Sequence, residues 1–163
     1  MNPTKNDMPV KTRTAMGALL NSALAHLINL QLCAKQAHWN VKGPHFIALH
    51  KLFDDVYETL NEPIDNTAER IVGLGGIAEG TLTAVMSKSK LPPYPLGITT
   101  GHEHVEALSD LFATVGKVIR ASIAAAAQED DAGTADLLTG ISRELDKQLW
   151  FIESNLQGST SNA

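Results

Sequence analysis

Four apolar stripes of helical period, joined by two short connections and one long one, constrain this chain more than anything else in it. Met16, Leu20, Ala23, Leu27, Leu30 and Ala34 recur at steps of three or four, which predicts a helix from about Thr14 to Val41 with one buried face. Gly43-Pro44 stops it, because glycine accepts the left-handed cap and proline cannot continue a helix. The second stripe reads Phe46, Leu49, Phe53, Val56, Leu60, Ile64, Thr67 and Ile71, and ends at Gly73, Gly75 and Gly76. Pro63 lies inside this stripe, where it removes a backbone donor and predicts a kink. The third runs Val105, Leu108, Phe112, Val115, Ile119, Ile123, Ala126, and the fourth Leu138, Ile141, Leu145, Leu149, Ile152, Leu156. No alternating run competes, so the chain is all-α.

The connections decide the topology. Helices one and two, and helices three and four, are joined by a few residues and pair antiparallel. Between Gly73 and His102 lie roughly thirty residues, with Leu91-Pro92-Pro93-Tyr94-Pro95 among them, too long for a plain loop. One long crossover in a four-helix bundle marks the ferritin-like arrangement rather than the up-down-up-down one. Thr81 to Lys88 is predicted as a short helix within the crossover. A length of 163 residues suits one domain. We expect flexible tails at 1–13 and 158–163 around a bundle over 14–157. The formal net charge is −5, a poor prior for a dedicated nucleic-acid binder. The single cysteine, Cys33, cannot pair within the chain, the N-terminus lacks an apolar signal region, and no segment approaches about 20 apolar residues. A soluble, cytoplasmic protein is expected.

The chemistry concentrates on helix two. His50 and Asp54 are four apart, as are Asp65 and Glu69, and on a straight helix all four fall within about 100° of arc. Each follows an apolar position (Leu49, Phe53, Ile64, Ala68), so the four flank the core seam. His38, at the end of helix one, is close to His50 and Asp54 across the short turn. Asp54 and Asp65 are about 16 Å apart along a helix, whereas metal–ligand bonds are roughly 2 Å. One ion cannot bridge both pairs within a subunit. A second copy related by a two-fold axis near residues 59 and 60 brings His50 and Asp54 of one chain to Asp65 and Glu69 of the other, and makes two equivalent sites. The Glu-x-x-His motif of a site inside a ferritin-like bundle is absent, which favours the interface. A solvated polar face is the competing explanation. Imidazole and carboxylate donors suit iron, zinc or manganese.

The run His38-Trp39-Asn40-Val41-Lys42-Gly43-Pro44, followed by Phe46, Leu49-His50, Phe53-Asp54 and Tyr57, resembles the signature of the Dps family, mini-ferritins that protect DNA in starved cells. Asp65, Ala68-Glu69-Arg70, Leu74-Gly75-Gly76, Tyr94-Pro95-Leu96, Thr134-Ala135-Asp136, Leu145-Asp146-Lys147 and Leu149-Trp150-Phe151-Ile152-Glu153-Ser154 extend the match over roughly 14–157. The resemblance implies a hollow dodecamer with iron sites at two-fold interfaces. His38, His50 and Asp54 match the ligands from one subunit, Asp65 and Glu69 those from its partner. It further implies oxidation of Fe(II), preferentially by hydrogen peroxide, and storage of ferric mineral. Zinc or manganese would compete for the site, and binding should weaken as pH falls and the imidazoles protonate. Trp39 resembles the family's aromatic beside the site, which carries stray oxidising equivalents; packing at a helix end accounts for it equally.

Some residues depart from the pattern or stand outside it. Pro63, two residues before Asp65, is unexpected and alters the backbone that places that ligand. His45 reads as a surface histidine with a metal contact as the alternative, and His102 and His104 read as solvent-exposed. Asp136 matches a family pore position best; Asp130 and Asp131 are weaker pore candidates, since acids near a helix start are stabilising anyway. Lys5, Lys11 and Arg13, with Asp7 between them, form a sparse basic tail that would bind DNA weakly, by multivalency at low salt. The alternative function is a DNA-compacting nucleoid protein with a minor or inactive metal site.

Overall fold

A computed structural model describes residues 1–157; the tail expected at 158–163 lies outside the described residues. Six helices follow in order: α1 (Val10–Asn40), α2 (Phe46–Thr59), α3 (Asn61–Gly73), α4 (Leu82–Lys88), α5 (Gly101–Gln128) and α6 (Ala132–Glu153). α2 and α3 together make the second rod of a four-rod bundle. α1 packs against α2, α3, α4 and α5, while α5 packs chiefly against α6. The predicted stripes form the core: Leu20, Leu27 and Leu30 of α1, Phe53 of α2, Ile71 of α3, Leu108, Phe112 and Ile119 of α5, and Leu138 and Ile152 of α6 are fully buried. Phe46 is the exception and stays exposed. By length and composition α1 could cross a bilayer, which the sequence reading did not expect, but 61% of its most apolar window is buried in the bundle.

The second rod is interrupted at Leu60, three residues before Pro63, where the kink was expected. Pro63 has no N–H to give the Thr59 carbonyl, and its ring crowds that same carbonyl. The chain therefore ends α2 at Thr59, turns at Leu60 and restarts at Asn61, with the Ile64 N–H donating to the Leu60 carbonyl. Asp54 and Asp65 thus stand on either side of this interruption.

α1 begins four residues earlier than expected, and the residues ahead of it are not a free arm. The Asn2 N–H donates to the Gly75 carbonyl at 2.6 Å. Gly75 has φ +85°, and a Cβ there would lie 2.7 Å from the Asn2 oxygen, so the close approach needs glycine. Arg13, expected in the basic tail, is buried inside α1. Its Nη1 donates to the Leu74 carbonyl at 3.1 Å and its Nε to the Met8 carbonyl at 3.0 Å. Its charge is spent on capping backbone carbonyls, which removes it from any DNA-binding set.

The crossover is tied to α1 by buried polar side chains. Asn21 donates to the Gly17 and Ile77 carbonyls and accepts from the Glu79 N–H. His26 donates through Nδ1 to the Ser22 carbonyl and accepts the Lys90 N–H at Nε2. Thr81 caps α4, and Thr100 with Glu103 forms a reciprocal capping box at the start of α5.

Candidate metal centre

His38 ends α1 and His50 opens the second turn of α2, and the turn between them folds the two rings together. Their centroids are 3.7 Å apart and nearly parallel. His38 Nδ1 lies 2.7 Å from the His50 carbonyl, and His50 Nδ1 lies 2.8 Å from the His38 carbonyl. A carbonyl can only accept, so each Nδ1 carries the hydrogen and each Nε2 keeps its lone pair. This reciprocal bond fixes both tautomers in the ligating form without a metal.

Asp54 stands one turn further along α2, its Oδ1 3.9 Å from His38 Nδ1. Lys35 of α1 forms a short ion pair with that same oxygen and also lies over the Tyr57 ring, 4.6 Å from its centroid. The Lys35 hydrogen bond, with smaller contributions from His38 and His50, holds the Asp54 carboxyl below its ordinary range. Lys35 was not singled out from the sequence. The available signal was its place three residues before His38, which puts both on one face of α1.

Asp65 and Glu69 lie exposed on α3, beyond the break. Asp65 lines a shallow surface depression with Asn61, Glu62, Ile64 and Ala68. The structure brings His38, His50 and Asp54 together and leaves Asp65 and Glu69 apart from them. Among the described residues no three His, Cys, Asp or Glu side chains enclose an ion within one subunit. The donor set is split into halves facing outward.

Other candidates resolve differently. Trp39 is 67% exposed and packs on nothing within the subunit that would bury it. Asp131 is no pore residue, because its carboxylate is buried. It caps α6 by accepting from the Thr134 N–H at 2.9 Å and pairs with the Arg70 Nη2 at 2.7 Å. Asp130 takes the left-handed φ of 58° in the turn before it. Asp136 is exposed and borders an open depression with Glu58, Glu62 and Glu144. Lys5 and Lys11 are exposed. His45 and His102 border a second depression of about 500 Å³ at the α1–α2 turn, and His102 faces Glu106 at 3.4 Å. His104 contradicts the exposed reading: it is 1% exposed, accepts the Tyr94 hydroxyl at Nδ1 and meets Phe53 edge-on. Its position four residues before Leu108 on the buried face was the signal.

Comparison with known proteins agrees with the four-rod fold. Residues 17–159 match the ferritin-like domain family. The chain is 46% identical over 154 residues to the DNA protection during starvation protein of Agrobacterium fabrum, covering 94% of this chain and 95% of that one. It superposes on the Dps of Mycobacterium smegmatis with a TM-score of 0.92 at 30% identity, over 99% and 98% of the two chains. A Dps protein of Streptomyces coelicolor gives a TM-score of 0.90 at 33% identity, over 98% and 94%.

Proposed function

The chain belongs to the Dps family of ferritin-like proteins, and from that premise we propose that it oxidises Fe(II) at sites shared between two-fold related subunits. One observation supports the reading: His38, His50 and Asp54 lie together on α1 and α2 with both Nδ1 atoms engaged by backbone carbonyls, while Asp65 and Glu69 lie exposed on α3 apart from them.

Iron is the substrate. The two Nε2 lone pairs and Asp54 receive it from one subunit, and the partner's Asp65 and Glu69 close the site. Lys35 neutralises Asp54 while the site is empty and leaves its oxygen when the cation arrives, so the carboxylate exchanges one positive charge for another. Three carboxylates are hard donors that favour Fe(III) over Fe(II). Hydrogen peroxide takes one electron from each of two Fe(II) ions and two protons, leaving as two waters. The ferric product passes to a mineral inside a closed homo-oligomeric shell, a dodecamer in the family pattern. Consuming Fe(II) and peroxide together protects DNA by removing the source of hydroxyl radical, in keeping with the names of the relatives. A location in the cytoplasm beside the nucleoid fits this reading. Direct DNA compaction loses support, since Arg13 is buried and Asn2 is bonded to Gly75.

Anaerobic Fe(II) followed by hydrogen peroxide should give a rapid ferric absorbance rise. The double change Asp65→Ala with Glu69→Ala should remove the fast phase and leave the native mass unchanged. Normal oxidation by that variant refutes the site.

A further inference from the structure

Away from the half-site, a second cluster of oxidisable groups, half-buried Tyr94 with buried His104 and Cys33, sits where the crossover meets the bundle. The Tyr94 hydroxyl of the crossover lies 2.7 Å from Nδ1 of His104 on α5. The two rings are nearly parallel with centroids 6.1 Å apart, and Phe53 stands 6.4 Å beyond His104. Phe53 is the residue before Asp54, so this cluster and the half-site share α2. Cys33 of α1 is near enough to Tyr94 to disfavour its phenolate, and burial pushes the Cys33 thiol up to about 11.

His104 Nε2 is buried without a hydrogen-bond partner. The Asn40 carbonyl is near enough to favour a proton on the ring, though the geometry falls short of a hydrogen bond. We assign the ring's hydrogen to Nε2, the tautomer that lets the Tyr94 hydroxyl donate at Nδ1. Nδ1 is then the acceptor, and the phenol donates to it. A buried N–H left unsatisfied is destabilising and calls for an explanation. Burial of Tyr94 also opposes simple deprotonation. The phenol can lose an electron cheaply only if its proton moves at the same moment, and His104 is placed to take it.

We propose that Tyr94 and His104 form a redox pair that absorbs single-electron oxidising equivalents escaping from the metal site. The proposal rests on the ferroxidase reading for the source of the oxidant. When Fe(II) reduces peroxide by one electron, the products are Fe(III), hydroxide and a hydroxyl radical. That radical gains one electron and becomes hydroxide. Tyr94 supplies the electron through Phe53 and becomes a neutral tyrosyl radical, while its proton passes to His104 Nδ1. A second Fe(II) then returns an electron to Tyr94, the proton returns from His104, and Fe(III) results. The sum is one hydroxyl radical and one Fe(II) converted to hydroxide and Fe(III), with the pair restored.

The chain has only two tyrosines, Tyr57 and Tyr94, so the radical can be assigned by subtraction. The full-length protein without iron is oxidised by photogenerated ruthenium(III) tris-bipyridine, frozen, and examined by electron paramagnetic resonance. Tyr57→Phe, which leaves the pair untouched, should keep the tyrosyl doublet, and Tyr94→Phe should lose it. His104→Gln can accept a hydrogen bond but not a proton, and should lose it too. A doublet absent from Tyr57→Phe, or undiminished in His104→Gln, overturns the proposal. With Fe(II) and peroxide in place of ruthenium, Tyr94→Phe should lose the radical while ferric absorbance rises as before. No ferric rise in the unsubstituted protein, together with a ruthenium-driven doublet, would refute the ferroxidase reading and still support the pair.

Discussion

Lys35 occupies, on Asp54, the place an incoming cation would take, and that single ion pair organises the half-site at the scale of residues. Replacing it with Gln removes both the hydrogen bond and the charge that hold the Asp54 carboxyl low. Its titration, followed by carbon-13 NMR, should then move up toward the ordinary value of about 3.9. His104 gives a second prediction. Burial depresses it below the ordinary imidazole range, so the unfolded chain binds a proton the folded chain refuses. Its contribution to stability is complete above about pH 6.5 and is lost as pH falls below that value. Melting temperature should drop on acidification from pH 7.5 to 5.5 by more than in His104→Gln. His50 with Asp54, and Asp65 with Glu69, stood out by i,i+4 spacing, and His38 by its nearness across the short turn. Lys35 and His104 were missed for different reasons. Spacing puts Lys35 on the His38 face without showing its ion pair, and a histidine on an apolar face shows its partner only once the crossover is placed.

At the scale of elements, junctions matter more than rods. The stripes dictated the four rods, since burial of each apolar face follows from period alone. The break at Leu60 was half legible: Pro63 announced a disturbance, but whether the helix bends or restarts depends on packing around Thr59 and Leu60. At the start of α6 the helix-start role of Asp131 was legible and its partner was not: the carboxylate caps α6 and also ties it to Arg70 on α3. Asp131→Ala should cost about 3 kcal/mol, measured by urea unfolding, as the cap is lost and Arg70 is left without its partner. Asp131→Asn keeps a cap acceptor and should cost less.

At the scale of the whole molecule, the proposed site is divided between two copies of the subunit. Length and charge alone describe a self-contained acidic domain; the distance between the proposed ligand pairs is what calls for a second copy. A mixing experiment tests this most directly. One variant carries His38→Ala, His50→Ala and Asp54→Ala, and the other carries Asp65→Ala and Glu69→Ala. Each is inactive alone, with neither half-site pairing to a whole partner. Co-assembled at equal amounts, half of the two-fold pairs are mixed, and each mixed pair holds one intact site of two. Fast peroxide-dependent iron oxidation should therefore return to about a quarter of the unsubstituted level. Co-assembled shells that stay inactive, or a parent variant that is active alone, would contradict a site shared between subunits.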